Sequence, residues 1–229
     1  MATDDVFLIT GASSGIGAAT ARHAVAAGYR VVLAARSEDR LRDLASELGG
    51  DERALVVRCD VTEFGDQEAL VAEALERFGR VDVAMANAGF GAKRGFREET
   101  PEFWRSMVLT NVLGVAYTIR ATLDALRDAR GHLLLTGSVA GRRALAGSLY
   151  SATKFSVTAM GEAARQELNG SGVRVTVIEP GAVETPFFDN PGDGRLRADD
   201  IARAVLWVVS QPEHVDVNEL LIRPTAQAG

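Results

Sequence analysis

The chain has a single cysteine, Cys59, so no disulfide can form within it, and a reducing compartment is expected. Cys59 lies in an apolar run before Asp60 with no histidine beside it, and reads as a small core residue rather than a reactive thiol. No apolar run approaches the roughly 20 residues that a membrane-spanning helix needs. The opening Met1-Ala2-Thr3-Asp4-Asp5 is acidic and lacks the basic start of a secretory signal, so a cytoplasmic protein is expected. Basic charge is also scarce. Lys and Arg number 25 against 31 Asp and Glu, and the net charge of −6 argues against a nucleic-acid partner. His23, His132 and His214 are scattered without metal-ligand spacing, so no metal is expected. Repeats, low-complexity stretches and interdomain linkers are missing too, so residues 1–229 read as one domain.

What is present is a regular alternation. Apolar runs at Val6–Thr10, Val31–Ala35, Ala54–Arg58, Val81–Ala86, His132–Thr136, Val173–Ile178 and Asn218–Ile222 read as seven strands. Between them lie helical segments: Ile16–Ala27, Asp39–Leu48 capped by Ser37, and a stretch from Thr62 to Phe78 with Thr62 as cap. Leu70, Ala74, Leu75 and Phe78 give that third helix an apolar face. A long helical stretch runs from Pro101 to about Arg127 with a break near Thr110, followed by Leu149–Leu168 and Asp199–Val209. Continuous apolar strands alternating with helices predict an α/β doubly wound fold, a mostly parallel seven-stranded sheet with helices on both faces. The segment Pro186–Arg197, with Pro191, Gly192 and Gly194, is too long for an incidental loop and reads as functional.

Two motifs carry chemistry. Gly11, Ser13, Ser14, Gly15, Ile16 and Gly17 form a glycine-rich turn between the first strand and the first helix. Such a turn lets backbone approach a pyrophosphate, which the helix N-terminus then attracts. The second strand ends Ala34-Ala35-Arg36-Ser37, where an NAD site usually has an acid. Arg36 suits a 2′-phosphate and favours NADP(H), with NAD(H) as the alternative, because Glu38 and Asp39 follow and are in reach of a ribose. Asp60, with Val61, follows the third strand; its carboxylate either accepts from an adenine amino group or caps the next helix with Thr62. Far along the chain, Tyr150 and Lys154 are four residues apart, one above the other on a helix. A neighbouring ammonium favours a phenolate, so this spacing predicts a tyrosine tuned for proton transfer.

Taken in order, these residues resemble the short-chain dehydrogenase/reductase family over essentially the whole chain. Thr10-Gly11-x-x-x-Gly15-x-Gly17 resembles its cofactor turn, and Asn87-Ala88-Gly89 its motif after strand four. Asn111, Ser138, Tyr150 and Lys154 stand where the family keeps its catalytic tetrad; Pro180-Gly181, Val183 and Thr185 resemble the segment that touches the nicotinamide. Two departures are visible. Ser13-Ser14 stand where NADP-preferring members often have a second base, and the interval from Ser138 to Tyr150 is slightly short, as a one-residue trim in the loop between them gives.

The resemblance implies an NADP(H)-dependent oxidoreductase that interconverts a small-molecule alcohol and a carbonyl. Tyr150 is the implied acid and base, with Ser138 bonding the substrate oxygen, Lys154 gripping the nicotinamide ribose and Asn111 anchoring a relay water. A catalytically silent NADP(H)-binding sensor is the alternative. The substrate walls are expected from Phe90–Phe96 with Lys93 and Arg94, Val139–Leu149 with Arg142 and Arg143, and residues 186–197 with Phe187, Phe188 and Asp189. Any of those four bases suits a substrate carboxylate. Small and apolar residues such as Val112, Leu113, Val115, Ala159, Met160 and Ala163 lie on helices that form interfaces in the family, which implies a homodimer or homotetramer.

Overall fold

The computed structural model describes residues 4–185 and 194–227. The first half alternates β1 (Val6–Thr10), α1 (Gly15–Ala26), β2 (Arg30–Ala35), α2 (Glu38–Glu47), β3 (Ala54–Arg58), α3 (Phe64–Phe78) and β4 (Val83–Ala86). The second half has α4 (Pro101–Val108), α5 (Gly114–Ala129), β5 (His132–Thr136), α6 (Leu149–Glu167) and β6 (Arg174–Pro180). Then come the two-residue strands β7 (Val183–Glu184) and β8 (Leu196–Arg197), α7 (Ala198–Val209) and β9 (Glu219–Ile222).

Seven strands form one sheet in the order β3-β2-β1-β4-β5-β6-β9, and every neighbouring pair is parallel. The chain winds outward from β1 in one direction and from β4 in the other. This reversal opens a crevice beyond the carboxyl ends of those two strands. Because successive strand residues point to opposite faces, Leu8 packs with Val32, Ala84 and Leu133 in one core layer. Phe7 and Ile9 pack with Val31, Leu33 and Met85 in the other. Both layers exclude water, which is why the strands read as unbroken apolar runs.

The helix ends differ from expectation in instructive ways. Thr100 caps α4, its hydroxyl accepting from Phe103 N at 3.2 Å, and Pro101 opens the helix as expected. Ser37 makes no side-chain cap to α2. Thr62 is not a cap either: α3 starts two residues later, and Thr62 instead donates its N–H and its hydroxyl to Asp60 Oδ1, at 3.0 and 2.8 Å. An Asx-type turn has won over helix extension there. Leu75, expected on the apolar face of α3, is exposed, and Val71 takes its place beside Leu70, Ala74 and Phe78. The break near Thr110 is one π turn, Leu109–Leu113, between α4 and α5. The β7–β8 ladder was not anticipated; two-residue strands carry no periodicity to read.

Candidate active site

The loop from β1 into α1 is held against β4. Thr10 Oγ1 accepts from Asn87 N at 3.0 Å and Ala88 N at 3.2 Å, while Asn87 Nδ2 donates to Thr10 O at 3.0 Å. Asn87 Oδ1 accepts from Thr136 Oγ1 at 3.2 Å, so one amide ties together the ends of β1, β4 and β5. Gly17 allows this closeness, since a Cβ there would lie 2.4 Å from the Gly11 carbonyl oxygen. Ser14, at the start of α1, makes no side-chain cap, and the first turn of α1 holds no acid. Its leading N–H groups and positive dipole end are thus kept for an anion from outside.

Three side chains meet at the other end of the crevice. Ser138, just past β5, accepts from Ala140 N at 3.1 Å and donates to Pro180 O at 3.4 Å. It is also hydrogen-bonded to the Tyr150 phenol. The slightly short interval between these residues therefore leaves them in contact. Ser148 caps α6 by accepting from Ser151 N at 3.1 Å, which sets the first turn that carries Tyr150. Lys154 follows one turn later, buried, its Nζ 5.7 Å from the centre of the Tyr150 ring and donating to Thr136 O at 2.7 Å.

The electrostatics of this pair depart from the expectation of a lysine-tuned phenolate. Burial pushes the Tyr150 hydroxyl up to about 12, with the Ser138 hydrogen bond opposing it. Burial likewise pulls Lys154 down to about 8. In the protein alone, desolvation outweighs the attraction between the two groups, because each charged form has given up its water.

A cleft of ≈ 600 Å³ joins the two ends. Its wall includes Gly11, Ser13, Ser14, Gly15 and Ile16, then Arg36, Asp60 and Val61, then Asn87, Ala88 and Gly89. Ser138, Tyr150, Lys154, Pro180, Gly181, Val183 and Thr185 complete the predicted part of the lining. Gly17 and Asn111 stand behind it. Asn111 is fully buried at the π turn; its Nδ2 donates to Phe90 O at 2.8 Å and Thr153 Oγ1 at 3.3 Å, and its Oδ1 accepts from Phe90 N at 3.0 Å. Its side chain fastens the loop after β4.

At the second strand's end, Arg36 is exposed on the cleft rim next to buried Ala35. Glu38, a rival for a ribose, accepts from Arg42 Nη2 at 2.5 Å. Burial works to raise the Asp60 carboxyl, but the two bonds from Thr62 and the charges of Arg36 and Arg58 hold it below the usual range. Asp60 thus makes a turn and also faces the cleft.

The proposed substrate bases separate. Arg94 lines the cleft; Lys93 and Arg143 are absent from its lining. Arg142 is turned away, donating to Glu179 Oε2 at 2.6 Å and pairing with Glu219. Phe187, Phe188 and Asp189 lie outside the described residues. Leu145 and Arg195, from two of the expected wall segments, line the cleft, and so do two residues outside those segments, Gln227 and Cys59, whose buried thiol is pushed up to about 12 by burial. For Gln227 no sequence signal existed, since it arrives from a segment distant from every motif.

Comparison with known proteins places these features in a lineage. The family model for short chain dehydrogenase matches residues 5–195. An uncharacterized oxidoreductase of Staphylococcus saprophyticus is 37% identical over 228 residues, covering 96% of this chain and 97% of its own. An alcohol dehydrogenase from the archaeon Thermococcus sibiricus, complexed with 5-hydroxy-NADP, superposes with a TM-score of 0.92 at 37% identity, covering 98% of both chains. The closed form of a serine dehydrogenase complexed with NADP+ gives 0.91 at 31%, covering 98% of this chain and 96% of that one.

Proposed function

The chain belongs to the short-chain dehydrogenase family of oxidoreductases, and on that premise we propose that it interconverts a small-molecule alcohol and a carbonyl with NADP(H). The observation that carries this reading is the contact of Ser138 with Tyr150, with Lys154 one turn away, in the same cleft as the uncapped start of α1. A nicotinamide cofactor bound in this cleft would supply or accept the hydride. The residues here fit it: bare helix N–H groups for its pyrophosphate, and the Lys154 ammonium in the same cleft as Pro180, Gly181, Val183 and Thr185.

In the reducing direction Tyr150 gives its phenolic proton to the carbonyl oxygen, while the Ser138 hydroxyl bonds that oxygen and steadies its charge. Lys154, fixed by Thr136 O, holds positive charge next to the phenol so that the phenolate left behind is stabilised. In the oxidising direction the same phenolate must exist before it takes the alcohol proton. Burial holds the Tyr150 hydroxyl at about 12, and the positive charge of a bound oxidised nicotinamide would favour the phenolate. Asn111 acts by positioning, holding the Phe90 backbone at the cleft mouth.

Preference for NADP(H) over NAD(H) rests on Arg36 at the rim, on buried Ala35 where an acid would stand, and on Glu38 being engaged by Arg42. The two solved relatives named above hold NADP-type ligands. The silent-sensor alternative is not favoured, because Tyr150 and Lys154 are both kept. We further propose one functional domain with residues 186–197 as its substrate loop, a cytoplasmic location, and a homodimer or homotetramer. Val108 on α4 and Phe155 on α6 are exposed large apolar residues on the helices expected to pair. No helix among the described residues is long and apolar enough to cross a membrane.

The test is reduced-nicotinamide absorbance over a panel of aldehydes, ketones and hydroxy acids, with NADPH and NADH in parallel. Tyr150→Phe should lose turnover by roughly a hundredfold or more and keep cofactor affinity. Equal turnover in that variant removes the assignment.

A further inference from the structure

The last described residues of the chain return to the cleft. After β9, Gln227 N donates to Pro224 O at 3.0 Å, and this turn carries the Gln227 side chain back over the segment that follows β6. Its Oε1 accepts from Ala182 N at 2.9 Å. Because a backbone N–H can only donate, the amide atom facing it must be the oxygen. The carbonyl of the same residue accepts from Leu196 N at 3.0 Å, and Gly181 N donates to Ile222 O at 2.6 Å. Both backbone groups of Ala182 are therefore spoken for, one by the chain's end and one by β8.

The fit of these segments is close. A Cβ on Gly181 would lie 2.3 Å from Gln227 Oε1 and 2.9 Å from Pro224 Cδ. Gly194, at the end of the expected substrate loop, would place its Cβ 3.7 Å from that of Ala226. Pro180, Gly181, Ala182, Val183, Thr185 and Gln227 all line the cleft, into which Ser138, bonded to Pro180 O, also faces.

We infer that Gln227 is a positioning residue: its carboxamide locks the Pro180–Val183 backbone in the shape that receives the nicotinamide. This rests on the nucleotide-binding reading above. Without the bond, Ala182 N–H loses its acceptor and the segment samples other shapes. Cofactor binding must then select the competent one. If that shape falls to about a tenth of the population, apparent Kd rises about tenfold. The penalty falls only on ligands that touch this segment.

The experiment compares two ligands on the full chain: NADPH, and 2′-phospho-ADP-ribose, which has the pyrophosphate and 2′-phosphate but no nicotinamide. The readouts are calorimetric Kd and hydrogen exchange at the Ala182 amide without ligand. Gln227→Met, similar in size but with no comparable acceptor, should bind NADPH about tenfold more weakly, bind 2′-phospho-ADP-ribose as the wild type does, and exchange faster at Ala182. Gln227→Glu keeps an acceptor oxygen and should restore most of the NADPH affinity. Unchanged NADPH binding in Gln227→Met, or equal weakening of both ligands, overturns the inference while leaving the proposed function standing. Wild-type protein that binds neither ligand overturns the proposed function and this inference together. Retained binding of the fragment also certifies that the variant is folded.

Discussion

Lys154 should stabilise the reaction at the expense of the fold, and replacing it with methionine separates the two effects. Lys154 is 4% exposed. Burial lowers its pKa from 10.5 to about 8, so the unfolded chain holds that proton more tightly than the folded one. Linkage fixes the sign. The folded state is penalised most below pH 8, the penalty shrinks as pH rises from 8 to 10.5, and it is gone above that. The penalty is about 3 kcal/mol at pH 7 and about 1 kcal/mol at pH 9.5. Lys154→Met removes this penalty but also the bond to Thr136 O, worth about 1 kcal/mol. The variant should therefore be more stable than wild type by about 2 kcal/mol at pH 7, a melting shift of roughly 4–8 °C for a chain of this size. At pH 9.5 the gain should nearly vanish. Turnover should drop by roughly a hundredfold. Paired thermal melts at the two pH values decide the matter, because pH effects from other groups cancel between variant and wild type. A variant destabilised equally at both pH values refutes the buried-ammonium reading.

Two further substitutions probe the frame around that lysine. Arg36→Ala should raise the KM for NADPH by roughly 10- to 100-fold, the worth of charge-assisted bonds to a phosphate, and leave the KM for NADH nearly unchanged; parallel steady-state kinetics with both cofactors would show it, and a uniform loss would point to Glu38 or Asp39 instead. Arg142→Ala takes the guanidinium from the fully buried Glu179 carboxylate and leaves it the Thr158 Oγ1 bond at 3.0 Å, and should cost roughly 2–4 kcal/mol in urea unfolding, with Glu179→Gln in the same background recovering part of it.

The fold was legible because its signals are local. Apolar runs with no polar face predict strands covered on both sides, and each of the seven strands ended close to where it was read; β1, β3 and β5 match residue for residue, while β9 at the sheet edge stays partly exposed. The ends of α2 and α3 were less legible. Ser37 and Thr62 have the composition of caps, yet Thr62 is drawn off by Asp60, which is a competition between two hydrogen-bonded turns that composition does not rank. Electrostatics was the least legible part. Tyr150 and Lys154 four apart specify proximity, and proximity suggested a lowered phenol. The sign depends on how much water each group loses, and that is set by Thr136, Ser138 and the surrounding wall, all remote in sequence.

The same distinction explains Arg142. In the sequence it is one of several loop cations available to a substrate carboxylate. In three dimensions the strand β6 ends with Glu179 buried beneath it, and a buried carboxylate without a partner is far costlier than an exposed arginine left in water. Glu179 therefore claims Arg142, Glu219 shares it, and Thr158 on α6 holds the other oxygen of Glu179. That one ion group links the turn after Ser138, the strand that presents Pro180, and the helix one turn beyond Lys154. Three elements that border the cleft are thus braced from behind by charges that do not line it, which leaves Arg94 as the one of the four loop bases in its wall.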